Sequence, residues 1–165
     1  RADEGYGLSM ASIETLKKLD HVVDVYLPDM KFFDEKVSMR YTGKKDYFAV
    51  ASKALEFMIN SKNKVYENSL IKQGVIVRHL ILPLNANDSK KIIDWFAPFK
   101  DKATFSLMSQ YTPFGDIDNY PELKRKITKR EYETVLDYAL SKGITDMFVQ
   151  EFESADTKYI PQWDF

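Results

Sequence analysis

Short apolar runs of strand type alternate with helix-type patterns along the chain. In the helix-type segments, apolar residues recur every three or four positions, as Ile13, Leu16 and Leu19 do. The strand-type runs are shorter and rich in β-branched residues, and "GVIVRHLILP" is the clearest of them. Such an alternation predicts βα units, and therefore an α/β fold built on parallel strands.

The boundaries of these elements carry start and stop signals. The predicted strands are "HVVDVYLP", "GVIVRHLILP", "ATFSLMSQYTP" and "DMFVQEF", and "KVYENSLIKQG" is interpreted as a loop or excursion. The predicted helices are "SIETLKKLD", "DEKVSMRYTG", "DYFAVASKALEFMINSK", "NANDSKKIIDWFAPF" from Asn87 or Asp88 onwards, and a helix that opens at Thr128. Asp46 can cap the third helix, Thr128 and Glu131 have the spacing of a capping box, and Gly43 and Gly143 suit helix ends.

Polar residues occur where each predicted strand ends. In both open doubly wound sheets and (β/α) barrels, ligands bind at the carboxyl ends of the strands, so these residues are considered together. They are Asp29 and Lys31, Arg78 or His79, Ser106 and Gln110, and Gln150 or Glu151. As a set they suit a polar or zwitterionic ligand better than an apolar one.

Four of these residues also have a structural explanation. Asp29 and Lys31 could form a surface pair that adds little stability. Arg78 could pair with an acid such as Asp29 or Glu151 instead of a ligand. His79 lies in the opposite phase of its strand, and a hydrogen-bonded histidine between sheet and helices is favoured over a catalytic one. The spacing of residues does not decide among these alternatives.

Composition narrows the class of protein. The chain has 165 residues, of which 44% are hydrophobic and 30% charged, enough for one ordinary globular domain spanning residues 1–165. The net charge of −1 gives no overall field toward nucleic acid or an acidic membrane, so neither is an expected partner. No apolar run is long enough to span a bilayer and no signal-peptide pattern occurs, which favours a cytoplasmic protein.

Several kinds of catalytic apparatus have no counterpart in the sequence. There is no glycine-rich phosphate loop and no G-x-S-x-G motif. Cysteine is absent, and the two histidines, His21 and His79, are far apart in sequence, so the chain offers few suitable ligands for zinc. We therefore expect no catalytic residue within this chain.

Most of the chain resembles the C-terminal half of radical S-adenosylmethionine (SAM) proteins, in the branch related to the pyruvate formate-lyase activating enzyme. The phrases that carry the resemblance include "VDVYLPDMKFFDEKVSMRYTGKKDYFAVASKALEFM", "GVIVRHLILPLNANDSKKIIDWF" and "FVQEFESADTKYIPQWDF". The resemblance implies a partial (β/α) barrel in which SAM lies across the strand ends. It also implies a [4Fe-4S] cluster held by a C-x-x-x-C-x-x-C loop after the barrel's first strand.

The resemblance assigns expected roles to four positions. Asp29-Met30-Lys31 matches the Asp-x-Lys of the family, which implies contacts to the ribose and to the methionine carboxylate side of SAM. Arg78 matches an arginine near SAM or its carboxylate. Gln110 falls where the family has a histidine that contacts SAM, and glutamine can form a hydrogen bond there but cannot carry charge.

The chain lacks the part of the family that holds the cluster. The cluster loop, the glycine-rich motif that binds the methionine amine, and the first strands are not in this sequence, which starts at Arg1 and reads as part of a longer product. Without cysteine the chain cannot hold the cluster by thiolates, so by itself it is expected to be inactive. In the intact protein the resemblance implies reductive cleavage of SAM to a 5′-deoxyadenosyl radical, with a glycyl-radical enzyme or another protein as substrate.

One further expectation follows from half a barrel. The strand edge nearest the N-terminus should be covered by residues 1–11, by a second copy, or by a neighbouring molecule.

The alternative to an enzyme fragment is a non-catalytic α/β module. Such a module would bind a small anion at the same strand ends, or it would dock to a partner protein.

Overall fold

A computed structural model describes residues 7–150 of the chain. The strands are β1 (Val25–Tyr26), β2 (Val65–Glu67), β3 (Leu70–Leu80), β4 (Thr104–Met108) and β5 (Met147–Val149). The α-helices are α1 (Ile13–Leu19), α2 (Glu35–Thr42), α3 (Tyr47–Ser61), α4 (Ala86–Phe96) and α5 (Lys129–Ser141). Three 3-10 turns occupy Gly7–Met10, Ala97–Phe99 and Pro121–Lys124. Across residues 7–150, no helix combines the length and the apolar character needed to cross a bilayer.

The sheet is built mainly of parallel strands. β1, β3, β4 and β5 lie side by side in that order, and each neighbouring pair runs parallel. The predicted α/β fold with parallel strands is therefore confirmed. β1 is shorter than expected, but the parallel pairing resumes at a bridge between Asp29 and Arg78. At this bridge Arg78 N donates to Pro28 O at 2.8 Å, and Met30 N donates to Arg78 O at 2.9 Å.

The interpretation of "KVYENSLIKQG" as a loop or excursion is wrong. Its first residues form β2, which pairs antiparallel with the beginning of β3, so β3 starts at Leu70 rather than at Gly74. The connecting turn consists of Asn68 and Ser69, with φ of 49° and 64°. Positive φ at both central residues gives a two-residue turn whose twist matches that of the strands it joins.

Most of the helix signals operate as predicted. Thr128 and Glu131 form a capping box at the start of α5, and Gly43 ends α2 in the left-handed conformation. Asp46 does stand at the N-terminal boundary of α3, but its side chain makes no capping hydrogen bond. Its φ of −89° and ψ of 11° lie outside the extended region in which capping side chains reach the helix amides. Helix α4 begins at Ala86, slightly before the predicted start.

Alternation along the central strands divides the sheet into two faces. Val77, His79 and Ile81 point to the face that the helices cover, and each is at most 2% exposed. α4 packs directly on this covered face, where its Phe96 ring lies 4.8 Å from the ring of Phe105 on β4. The opposite side, termed the cavity face, carries the side chains of Asp29, Arg78, Leu80 and Met108, all of which are partly exposed.

The outer edge of β1 has no strand partner within residues 7–150. The 3-10 turn at Gly7–Met10 packs against α3. Residues 1–6 lie outside the described part of the chain, and so does Glu151. Covering of the edge by residues 1–11 therefore stays a prediction.

Candidate functional site

A cavity of about 290 Å³ opens at the carboxyl ends of the parallel strands. Its wall consists of Asp29, Lys31, Phe32, Arg78, Leu80, Leu82 and Met108. Three of these residues are charged and four are apolar. Larger surface depressions run along α2 and the start of α3, but they contain none of the strand-end residues singled out by the sequence. The strand-end cavity is therefore the candidate site.

Asp29 and Arg78 form an ion pair in the cavity wall. Arg78 Nε donates to Asp29 Oδ1 at 2.8 Å. The side chain of Arg78 is 41% exposed and that of Asp29 is 26% exposed. Residues paired across parallel strands project to the same face, which is why the bridge between these two positions brings their side chains together. Pairing of Arg78 with Asp29, one of the two acids suggested by the sequence, is thus observed, while Glu151, the other, lies outside residues 7–150.

Arg78 keeps hydrogen-bonding capacity beyond this pair. Only its Nε bonds to Asp29, and within residues 7–150 no hydrogen bond involves its two terminal amino groups. Lys31 is a second cation in the cavity wall, and Asp29 is a carboxylate among the wall residues that the structure describes. The two cationic side chains suit an anionic group, and Phe32, Leu80, Leu82 and Met108 offer it an apolar neighbour.

His79 is a structural histidine, as its phase in β3 predicts. It is 2% exposed, and its two ring nitrogens lie 2.8 Å from Met30 O and 2.8 Å from Ser89 Oγ. A carbonyl oxygen can only accept, so Nδ1 carries the proton and Nε2 accepts from the Ser89 hydroxyl. Burial lowers the pKa of His79 to about 4, which keeps the ring neutral near pH 7.

Two residues that the sequence does not single out contact the rim segment, residues 29–34, which supplies Asp29, Lys31 and Phe32 to the cavity wall. Tyr47 on α3 donates its hydroxyl proton to Asp29 O at 3.2 Å and accepts from Lys31 N at 3.0 Å. Asp88 on α4 accepts from Phe33 N at 3.0 Å and from Asp34 N at 2.7 Å. Burial raises the pKa of Asp88, although these two hydrogen bonds act in the opposite direction.

The remaining strand-end residues lie outside the cavity wall. Gln110 is exposed and follows β4 by two positions. Ser106 is paired with Arg78 in the sheet register but does not line the cavity. Gln150 Oε1 is buried and has no hydrogen-bond partner among residues 7–150.

This sequence provides no cysteine ligands for an iron–sulfur cluster. It contains no cysteine, and in the described residues no group of three or more His, Asp or Glu side chains could hold a metal ion. Any thiolate ligands would have to come from outside this sequence.

These features define an α/β protein with a mainly parallel sheet and a cavity at its strand ends, where Lys31, Arg78 and Asp29 lie among the described wall residues. A comparison with protein-family profiles gives no match. The chain is similar to an uncharacterized protein of Methanocaldococcus jannaschii, at 32% identity over 130 residues. The similar region covers 78% of this chain but 35% of that protein, so the chain spans about a third of the length of this curated relative.

Proposed function

We propose that this chain is the C-terminal, SAM-binding part of a radical SAM iron–sulfur protein related to the activating enzymes of glycyl-radical enzymes. The observation that carries the proposal is the strand-end cavity, which brings Asp29, Lys31 and Arg78 together. These are three of the four residues to which the sequence resemblance assigns SAM contacts. Gln110, the fourth, would have to contact SAM from outside this cavity.

The chemistry of the cavity wall fits SAM. The methionine end of SAM carries a carboxylate, for which the Lys31 ammonium and the terminal amino groups of Arg78 are suitable donors. Asp29 can accept hydrogen bonds from ribose hydroxyls, and the apolar wall suits the rest of the ligand. When bound, SAM would supply the carbon–sulfur bond that this family breaks reductively. A cavity of 290 Å³ is at the lower limit for such ligands, about 300 Å³, so these residues would form part of a larger site.

The proposal includes a partial (β/α) barrel. Parallel sheets normally have both faces covered, whereas within residues 7–150 the cavity face is partly exposed and β1 is an edge strand. The cluster-binding strands of the intact protein would pack there and supply the cysteines. By itself the chain would then be inactive, and the intact protein would act in the cytoplasm on a glycyl-radical enzyme or another protein.

SAM binding by the anaerobically reconstituted full-length protein tests the proposal. We expect Lys31→Ala to raise the dissociation constant of SAM about tenfold, since hydrogen bonds to charged groups contribute about 1.5–3 kcal/mol. Lys53→Ala, which removes the same charge from an exposed position on α3, is the matched control and should leave the affinity unchanged. Failure of the reconstituted protein to bind iron and to cleave SAM under a strong reductant would refute the proposal.

A second candidate function is a non-catalytic module that binds small anions. The two cationic side chains in the described cavity wall, Lys31 and Arg78, favour it, because they do not depend on any cluster. Calorimetry with acetate and with SAM on this chain distinguishes the two functions. Binding of acetate, together with an intact protein that never consumes SAM, would favour the module.

A further inference from the structure

The rim segment, residues 29–34, is held by side chains rather than by a neighbouring strand for most of its length. Five of its main-chain groups bond to three side chains, and each of these side chains comes from a different element. Tyr47 belongs to α3, His79 to β3 and Asp88 to α4. All three are buried, at 0%, 2% and 6% exposure. The main chain beside the cavity is thus fixed from three directions.

A simple turn would not require these buried polar groups. Burying a carboxylate and an imidazole opposes folding unless each is fully hydrogen-bonded, and an ordinary surface turn can bond to water instead. Asp88 has both oxygens bonded to rim amides, and His79 has both nitrogens bonded. What the buried groups add is a single conformation of the rim, which lowers the entropy lost when a ligand binds.

Tyr47 lies at the centre of this network. Its hydroxyl bonds to the carbonyl of Asp29 and to the amide of Lys31, the two groups that flank Met30. Both of these residues contribute charged side chains to the cavity wall. The ring of Tyr47 packs edge-on against Phe32, another wall residue, with centroids 5.5 Å apart.

We propose that Tyr47 is a positioning residue of the strand-end site, whose hydroxyl fixes the backbone so that Asp29 and Lys31 both face the ligand. His79 and Asp88 support the same segment on either side. The proposal rests on the proposed function, because it assumes that SAM binds in this cavity.

Tyr47→Phe in the full-length protein tests the proposal, because it removes the hydroxyl and keeps the ring. The matched control is Tyr26→Phe. Tyr26 is also fully buried, but its hydroxyl bonds to Asp20 Oδ1 at 3.3 Å, away from the cavity. We expect Tyr47→Phe to raise the dissociation constant of SAM about fivefold, the value of one typical hydrogen bond, and Tyr26→Phe to change it less than about twofold. Equal effects of the two variants would overturn the proposal.

A double-mutant cycle separates positioning from general destabilisation. If Tyr47 acts through Lys31, the effect of Tyr47→Phe on SAM affinity should fall below about twofold in a Lys31→Ala background. An undiminished effect in that background would show that Tyr47 does not act through Lys31, and the positioning role would be abandoned.

Amide hydrogen exchange tests the same role without any ligand. Tyr47→Phe should speed exchange of the Lys31 amide about fivefold, and Tyr26→Phe should not. Asp88→Asn gives an independent second variant. The side chain of asparagine has one accepting oxygen instead of two, so the backbone N–H of Phe33 or of Asp34 should exchange faster. If the wild type fails to bind SAM, the proposed function fails, and these exchange rates decide the positioning role. An unchanged Lys31 rate would overturn it.

Discussion

The two faces of β3 differ in how far their polar residues are buried and in what these residues bond to. On the covered face, His79 is buried and neutral, and both of its ring nitrogens are bonded inside the protein. On the cavity face, the adjacent Arg78 is partly exposed, and its terminal amino groups have no partner within residues 7–150. Neighbouring positions in one strand thus carry a structural and a ligand-accessible polar group. The two faces of this sheet therefore give neighbouring polar side chains very different surroundings.

The largest effect should come from truncating an apolar side chain on the covered face. Ile81→Ala removes a fully buried side chain beneath the helices, and we expect a loss of about 2–5 kcal/mol in the free energy of unfolding. Leu80→Ala on the cavity face should cost less than half as much, because Leu80 is already partly exposed. Urea unfolding of both variants measures the difference. Similar losses would mean that the two faces are equally packed.

The second largest effect on the free energy of unfolding should come from lowering the pH, which acts on His79 of the covered face. His79 has a pKa of about 4 when folded, below its ordinary value of 6.5, so the unfolded chain binds its proton more readily. The neutral ring therefore contributes stability above pH 6.5, and about 3 kcal/mol of it should be lost as the pH falls toward 4. The free energy of unfolding, measured by urea titration at several pH values, should fall less steeply in His79→Gln.

Asp88 contributes to the same pH profile with the opposite sign. Its pKa is raised in the folded state, so protonation of Asp88 favours folding as the pH decreases. Because Asp88 is present in both proteins, the difference between the wild type and His79→Gln isolates the histidine. Parallel pH profiles for the two proteins would contradict a buried neutral His79.

The smallest effect on stability should come from the ion pair on the cavity face. Asp29→Asn keeps the shape of the side chain and removes the charge, and we expect less than about 1 kcal/mol of change, as for other solvent-accessible pairs. Urea unfolding at low and high salt measures this change. A loss of about 2 kcal/mol or more, beyond the usual range for exposed pairs, would make Asp29 a structural residue and would end the contrast between the faces.

The strand ends in the sequence predict part of this arrangement. The carboxyl ends of parallel strands meet at one edge of the sheet, so Asp29, Lys31 and Arg78 are expected close together, and all three line one cavity. The preference for a structural His79 is confirmed by its two hydrogen bonds. Gln110 is expected at the same strand ends, but β4 ends at Met108, and Gln110 does not line the cavity.

Other features could not be predicted from local patterns. Tyr47 and Asp88 bond to main-chain groups of residues that are 16 to 55 positions away, and no period in the sequence marks such contacts. The β2–β3 hairpin did leave a signal, a two-residue turn at Asn68 and Ser69 between strand-like runs. That signal is weaker than Asn-Gly, because serine adopts positive φ less readily than glycine.

The hairpin also offers an exposed position for chemical attachment. Its turn is exposed and joins the start of β3, whereas the cavity lies beyond the other end of that strand. Because this sequence contains no cysteine, Glu67→Cys in the exposed β2 would create a unique attachment point for a fluorophore or a sensor surface. A chain immobilised through residue 67 would present its strand-end cavity to the solution, in the orientation that a binding measurement requires.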